Sequence, residues 1–192
     1  MKVIAFKGSP RKGGNTELLL NEAVRAAQDA GADVQVYDLN MLSIRPCQNC
    51  GGCDDTGSCV IQDDMQAIQR DIRSADRFIL ASPIFFFGLS AQAKIMIDRC
   101  QAFWHEKYVR KQPIQPGPHG RKGLLILVGG MKRNDKNEGF HCADVTARAF
   151  FRTINVQEHA VISYDSVDAK GAIRGHPTAM RDAYEAGRGL VK

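Results

Sequence analysis

No apolar run in this sequence reaches the roughly 20 residues that span a bilayer, so no membrane segment is expected. No charged leader with a long apolar stretch precedes "KVIAF" at residues 2–6, which reads instead as a buried strand. An intracellular, cytoplasmic protein is therefore expected. An arginine-rich tail is also missing. The formal charge of +5 comes from scattered basic residues, which argues against nucleic acid and suits an anionic small molecule or an acidic protein. Internal repeats and low-complexity tracts are absent. The five histidines form no H-x3-H pair, so none is expected to act as a ligand or acid. What remains is a globular composition, 44% hydrophobic and 24% charged, in 192 residues, which fits one domain over 1–192 with an ordinary core.

Against these absences stands one excess. Six cysteines are present, and four of them lie in "CQNCGGCDDTGSC", residues 47–59. In a reducing compartment such clustering suggests metal or redox chemistry more than structural disulfides.

Short apolar runs alternate with helix-period segments along the chain. Strands are expected at 2–8, 33–39, 76–82, 123–130 and 156–163, and helices at 16–30, 63–75, 90–103, 139–154 and 176–190. This alternation predicts parallel strands joined by right-handed crossovers. The first, third and fourth strands are nearly continuous apolar runs, as strands covered on both faces should be. The second alternates Val34 and Val36 with Gln35 and Tyr37, and the fifth carries Gln157, Glu158 and His159. These two are the expected edges. The expected fold is α/β, a doubly wound five-stranded parallel sheet of flavodoxin-like order 2-1-3-4-5. "KQPIQPGPHGRKG" reads as a surface loop.

The first strand leads into "GSPRKGGNT", residues 8–16. Its glycines let the backbone approach a ligand, and Ser9, Asn15 and Thr16 offer side-chain donors. Arg11 can supply charge, and Gly14 stands where the helix N-terminus offers free N–H groups. The pattern suits a phosphate monoester. The lysine of a nucleotide P-loop is missing, because Gly13 is followed by Gly14 and Asn15, and G-x-G-x-x-G is also missing. Asp38 could mimic a ribose-binding acid, but the loop does not support that reading. The plain alternative is a Gly-rich turn capped by Asn15 or Thr16.

After the third strand comes "SPIFFFGLSAQAK". Pro83 stiffens the backbone, Ile84, Phe85, Phe86 and Phe87 follow, Gly88 permits a sharp turn, and Ser90 can cap the next helix. The first and third strands flank the topological switch point, where such sheets bind ligands. A phosphate loop beside an aromatic, backbone-rich loop suits a flat ring with a phosphate tail, which is the shape of FMN. The phenylalanines could equally be core or a subunit contact, so the weight rests on the loop backbone.

The cysteine spacing is C-x2-C-x2-C-x5-C, at Cys47, Cys50, Cys53 and Cys59, in a loop over 45–62. Three thiolates from one tight loop and a fourth nearby can surround a [4Fe–4S] cluster. Gly51, Gly52 and Gly57 let the backbone wrap closely. Zinc fits the compact run less well, since structural zinc sites often use two separated Cys pairs. Thiol chemistry and an empty loop stay open. Cys100 and Cys142 lie in helical segments and are expected to be buried packing residues. Asp63 and Asp64 open a helix and suit its dipole. Asp98 and Arg99 are expected to make a helix or subunit contact.

"GSPRKGGNT", "ASPIFFFGLSAQAKIMIDR" and the cysteine loop together resemble the iron–sulfur flavoproteins of the NADPH-dependent FMN reductase superfamily, over nearly the whole chain. The resemblance implies that Ser9, Arg11, Asn15 and Thr16 hold the FMN phosphate, with Gly14 between them. It implies that Pro83, Ile84, Phe85 and Phe86 hold the isoalloxazine. Gly129 and Gly130, in "GGM", offer a third contact. Many relatives carry tyrosine where this chain has Phe85, so a phenol contact is lost. The implied protein is an FMN-containing redox flavoprotein that transfers electrons through FMN and a [4Fe–4S] cluster, with ferredoxin or NAD(P)H as donor. It would form a homo-oligomer, dimer or tetramer, in which cluster and flavin of different subunits approach. Two rivals stand beside this: an NAD(P)H-dependent FMN or quinone reductase with incidental cysteines, and a non-catalytic zinc-stabilised binding module.

Overall fold

The apolar strands alternate their side chains between two cores, and this decides how the sheet is covered. In the computed structural model, which describes residues 1–133 and 138–192, β1 (Lys2–Lys7), β2 (Asp33–Asp38), β3 (Arg77–Phe85), β5 (Lys122–Val128) and β6 (Gln157–Tyr164) form one parallel sheet. Their order is β2-β1-β3-β5-β6, which is the expected 2-1-3-4-5. A two-residue strand, β4 (Gly88–Leu89), is an addition that the sequence reading lacked, and it pairs antiparallel with the end of β3.

Ile4 and Phe6 of β1, Phe78 and Leu80 of β3, and Leu125 and Leu127 of β5 face one core. That core is closed by α2 (Met65–Ser74), α3 (Ala91–Asp98) and α5 (Glu138–Thr153). Val3, Ala5, Ile79, Ala81, Leu124 and Ile126 face the other, closed by α1 (Asn15–Asp29) and α6 (Ala179–Leu190). Burial on both faces explains why these strands read as continuous apolar runs. Each fully buried Phe or Leu contributes about 1.5–3 kcal/mol relative to exposure.

The edges are as expected, with one correction inside β2. Val36 is 40% exposed, while Tyr37 packs against the first core and its hydroxyl donates to Asp71 at 2.6 Å. Successive strand residues point to opposite faces, and Tyr37 is the one turned to the first core.

The expected helix at 90–103 is broken. It runs as α3, then a short α4 (Gln101–Trp104), then a π-helical turn over His105–Val109. The expected helix at 176–190 starts later, at Ala179, after a 3₁₀ turn at Ala172–Gly175. Ser90 caps α3 as expected, accepting from the Ala93 N–H at 3.3 Å. Cys100 is buried, but Cys142 is exposed, because its position on α5 faces away from the sheet.

The opposite end of the sheet is closed by two buried arginines. Arg77 donates to the Leu190 and Gly120 carbonyls at 2.6 and 3.0 Å. Arg121 donates to the Ala75 and Ile72 carbonyls at 2.7 and 2.8 Å, and burial pushes its guanidinium down to about 10. Each satisfies carbonyl groups at a helix C-terminus, Arg77 at the end of α6 and Arg121 at the end of α2.

Candidate functional site

At the carboxyl ends of β1, β3 and β5 lies a cavity of about 410 Å³, within the size range of small-ligand sites. Ser9, Arg11, Gly14, Asn15, Thr16, Pro83, Ile84, Phe85 and Gly130 all line it. Phe86 and Gly129 line an adjoining apolar cavity of about 310 Å³, which shares Ile84 and Gly130 with the first. The loops after three different strands are thus brought together at the switch point.

The first loop is built as an anion cradle. The first backbone bond of α1 runs from Leu18 N–H to the Gly14 carbonyl at 3.0 Å, so the N–H groups of residues 15–17 point out of the helix N-terminus. Gly14 is the cap residue, and its backbone alone does this, since neither Asn15 nor Thr16 caps the helix. Ser9 is buried, and its Oγ accepts from the Arg11 N–H at 3.3 Å. Ser90 ties the third-strand loop to this one: its hydroxyl donates to the Gly8 carbonyl at 2.6 Å.

Asn15 plays a part that its sequence position does not suggest. Its amide donates to the Ala169 and Val167 carbonyls at 2.9 and 3.4 Å, and its carbonyl accepts from the Ile173 N–H at 3.2 Å. It therefore anchors the loop after β6, and Val167 and Asp168 of that loop line the cavity. Arg11 Nη1 also donates to the Asp168 carbonyl, at 3.0 Å. The sequence reading missed these residues. The signal available was the polar, glycine-containing "DSVDAKG" after an edge strand, on the same end of a parallel sheet.

Asp38, weighed as a ribose acid, is bound elsewhere. Lys7 Nζ lies 2.6 Å from its Oδ2 and 3.2 Å from Glu17 Oε1. Burial works against the Lys7 charge, but these two carboxylates raise its pKa above the usual lysine range. Glu17 in turn accepts from the Gly13 N–H at 2.7 Å.

The third-strand loop also departs from expectation. Phe85 pairs with Gly88 in the β3–β4 hairpin, and Phe86 and Phe87 make the turn with φ of 48° and 64°. Two-residue hairpin turns need such left-handed backbone, for which glycine is the usual choice. Here two phenylalanines carry it, while Gly88 sits in the returning strand. Phe86 is fully exposed and Phe85 about half exposed. Strained, exposed aromatics at a ligand cavity are a mark of function more than of packing.

Cys47, Cys50, Cys53 and Cys59 line one small cavity of about 20 Å³, roughly the room of a single water. None is in a disulfide. Burial, then the Asp54 carboxylate and the neighbouring Cys59, push the Cys53 thiol up. Among the described residues, the one set of three metal-ligating atoms within 4.8 Å of one another is Cys53, Asp54 and His105. No three of the four cysteine sulfurs belong to such a set. Four free cysteines lining one space are donors of the kind a [4Fe–4S] cluster takes, but the space between them is smaller than such a cluster.

His105 was not expected here. Its Nε2 lies 3.1 Å from Asp54 Oδ1, and its Nδ1 is buried without a partner among the described residues. Arg99 sits beneath the loop, bonded to Cys59 Sγ at 3.4 Å and to Asp63 at 2.6 and 3.1 Å. Burial would push the Asp63 carboxyl up, but Arg99 and the N–H groups of Arg45 and Met65 hold it below the usual carboxylate range. Asp63 is thus more than a helix-dipole residue.

The family described as NADPH-dependent FMN reductase matches residues 1–164. An iron–sulfur flavoprotein of Methanocaldococcus jannaschii is 42% identical over 99 residues, 52% of this chain and 51% of that protein. An iron–sulfur flavoprotein of Methanosarcina thermophila is 30% identical over 138 residues, 72% of this chain and 68% of that one. The matches span about half to two thirds of the curated relatives' length. A solved NAD(P)H:quinone oxidoreductase from Methanothermobacter marburgensis superposes with a TM-score of 0.72 at 17% identity, covering 100% of this chain and 98% of that chain. At that identity the likeness is one of fold. Among the described residues no helix is long and apolar enough to cross a membrane.

Proposed function

We propose that this chain, which belongs to the NADPH-dependent FMN reductase family among its iron–sulfur flavoproteins, is an FMN-dependent oxidoreductase that takes electrons from NAD(P)H or a reduced protein such as ferredoxin. The carrying observation is the cavity at the N-terminus of α1, where the open helix end, Ser9, Thr16 and Arg11 meet the backbone of Pro83 to Phe85.

The residues divide by task. The N–H groups of residues 15–17 and the Thr16 hydroxyl bind the phosphate tail, and the helix dipole favours its charge. Arg11 adds positive charge at the rim, and Asn15 holds the loop after β6 against the site. Pro83, Ile84 and Phe85 give one side of the ring a stiff apolar wall, and Gly130 lets backbone approach from the other. No side chain is needed as nucleophile or general acid. Flavin supplies one- or two-electron exchange and a [4Fe–4S] cluster supplies one-electron exchange when bound. Cys47, Cys50, Cys53 and Cys59 would hold that cluster.

A second reading, a flavin reductase with incidental cysteines, is favoured by the small volume between the four thiols. Stopped-flow reduction of the flavin separates the two, using anaerobically prepared wild type and Cys50→Ser. The cluster reading expects iron and sulfide in the wild type. It also expects Cys50→Ser to keep FMN while reduction by ferredoxin slows. Reduction rates that the substitution leaves untouched, with NADPH the faster donor, would favour the second reading. A protein that binds no flavin at all would overturn both.

A further inference from the structure

We propose that Arg99 is the positioning residue of the cysteine loop, closing its two ends and holding an N–H against the Cys59 sulfur, so that it raises the reduction potential of the cluster. This rests on the cluster reading above, but the hold on the loop can be tested without iron.

Arg99 follows α3, and its side chain is completely buried. Nη1 donates to the Arg45 carbonyl at 2.8 Å and to Asp63 Oδ2 at 2.6 Å. Nη2 shares its two N–H groups among the Ile61 carbonyl at 3.3 Å, Asp63 Oδ1 at 3.1 Å and Cys59 Sγ at 3.4 Å. Arg45 and Ile61 flank the four cysteines in sequence. One planar group therefore joins the entrance of the loop, its exit and one of its sulfurs. Only a guanidinium offers enough donors in a fixed fork for this, and lysine cannot reproduce it. An unpaired buried charge would be strongly destabilising, and the bidentate Asp63 pair is what keeps Arg99 in place.

The electronic consequence has a definite sign. A donor aimed at a ligating sulfur favours the more negative, reduced cluster. Removing it lowers the midpoint potential.

A second arginine serves as an internal comparison. Arg73 of α2 donates to the Gly57 carbonyl at 3.2 Å and pairs with Glu106 at 2.7 and 2.8 Å. It holds the same loop, and among these bonds none reaches a sulfur.

The test uses wild type, Arg99→Lys, Arg99→Gln and Arg73→Gln. Each is reconstituted anaerobically with iron and sulfide, challenged with a chelator, and titrated for its midpoint potential. Metal-free samples are digested by protease and cleavage within residues 45–61 is mapped, with retained FMN reporting that the fold is intact. Both Arg99 variants should hold iron about ten- to a hundredfold less tightly and titrate at lower potential than wild type. Their metal-free loops should be cut faster. Arg73→Gln should be cut faster at a wild-type potential. Wild-type potential and iron retention in both Arg99 variants would overturn the proposal, and so would an equal potential shift in Arg73→Gln. If the wild type takes up no iron, the cluster reading fails on its own and the potential-raising role falls with it. The cleavage maps then decide the hold on the loop, and a metal-free Arg99→Gln loop as resistant as wild type would overturn that part.

Discussion

The side-chain amide of Asn15 donates to the backbone carbonyl of Ala169 at 2.9 Å, across 154 residues of sequence. The first residue of α1 thereby fastens the loop that follows the last strand. Two neighbours in "GSPRKGGNT", Asn15 and Thr16, come to hold different tasks, and their substitutions should separate.

Asn15→Ala should act through the fold. It removes partners from backbone groups of Val167, Ala169 and Ile173 around a side chain that is only 7% exposed. Leaving such groups unpaired should lower stability by about 1–3 kcal/mol. FMN and riboflavin should weaken alike, because the loop over the cavity loosens for both. Denaturant unfolding and two flavin titrations check this, and a loss confined to FMN would make Asn15 a phosphate ligand instead.

Thr16→Ala should act on the phosphate. Thr16 is buried at the cavity wall, in the first turn of α1. Losing a charge-assisted bond of roughly 1.5–3 kcal/mol should weaken FMN about tenfold or more. Riboflavin, which lacks the phosphate, should bind as to wild type, and Thr16→Ser should restore FMN binding. Equal losses for both flavins would take the phosphate away from this end of the cavity.

Acid should release the cysteine loop. Asp63 has its folded-state pKa depressed, chiefly by Arg99 acting against the effect of burial. Its stabilising contribution is therefore fully present above the unfolded carboxyl value of about 3.9 and is lost as pH falls below that through the folded value. In metal-free protein, hydrogen exchange of residues 45–61 relative to the sheet should stay flat from pH 7 to about pH 5 and rise below about pH 4. Asp63→Asn should exchange faster at neutral pH and lose this acid dependence. A wild-type loop whose relative exchange is unchanged at low pH would contradict the pairing.

Gly187 should not tolerate a methyl group. In α6, a Cβ at this position would sit 2.2 Å from the Ala23 carbonyl oxygen and 2.6 Å from its Cα. The obstacle is backbone of α1, which cannot swing aside as a side chain would. Gly187→Ala should lower stability by about 3 kcal/mol, the upper end for overpacked sites, with a clear fall in Tm. Gly175→Ala, where a Cβ meets nothing within 4 Å, should leave Tm near wild type.

Much of the architecture is legible in the sequence. Strands with both faces buried must be apolar throughout, and edge strands may carry Gln35 or Glu158, so the order of the sheet was written in its composition. The cavity-lining loops were legible for a related reason. In a parallel sheet they leave from one end, and "GSPRKGGNT" and "SPIFFFG" fall after the strands that flank the switch point. The thiol cluster was legible because its members fall within one run of 13 residues in which Gly51, Gly52 and Gly57 let the chain fold back on itself.

The tertiary structure alone decided what surrounds those loops. Arg99 reaches Cys59 across 40 residues, and Asn15 reaches Ala169 across 154, and neither pairing follows any backbone period. The turn was decided there too. Sequence chemistry put it at Gly88, yet pairing of Phe85 with Gly88 forces Phe86 and Phe87 into left-handed backbone. Periodicity and local spacing report the forces that act along the chain, namely burial of a face and closure of a short loop. Which distant charge lies under a sulfur depends on how helices stack on the sheet, and that is settled only when the cores on both faces close.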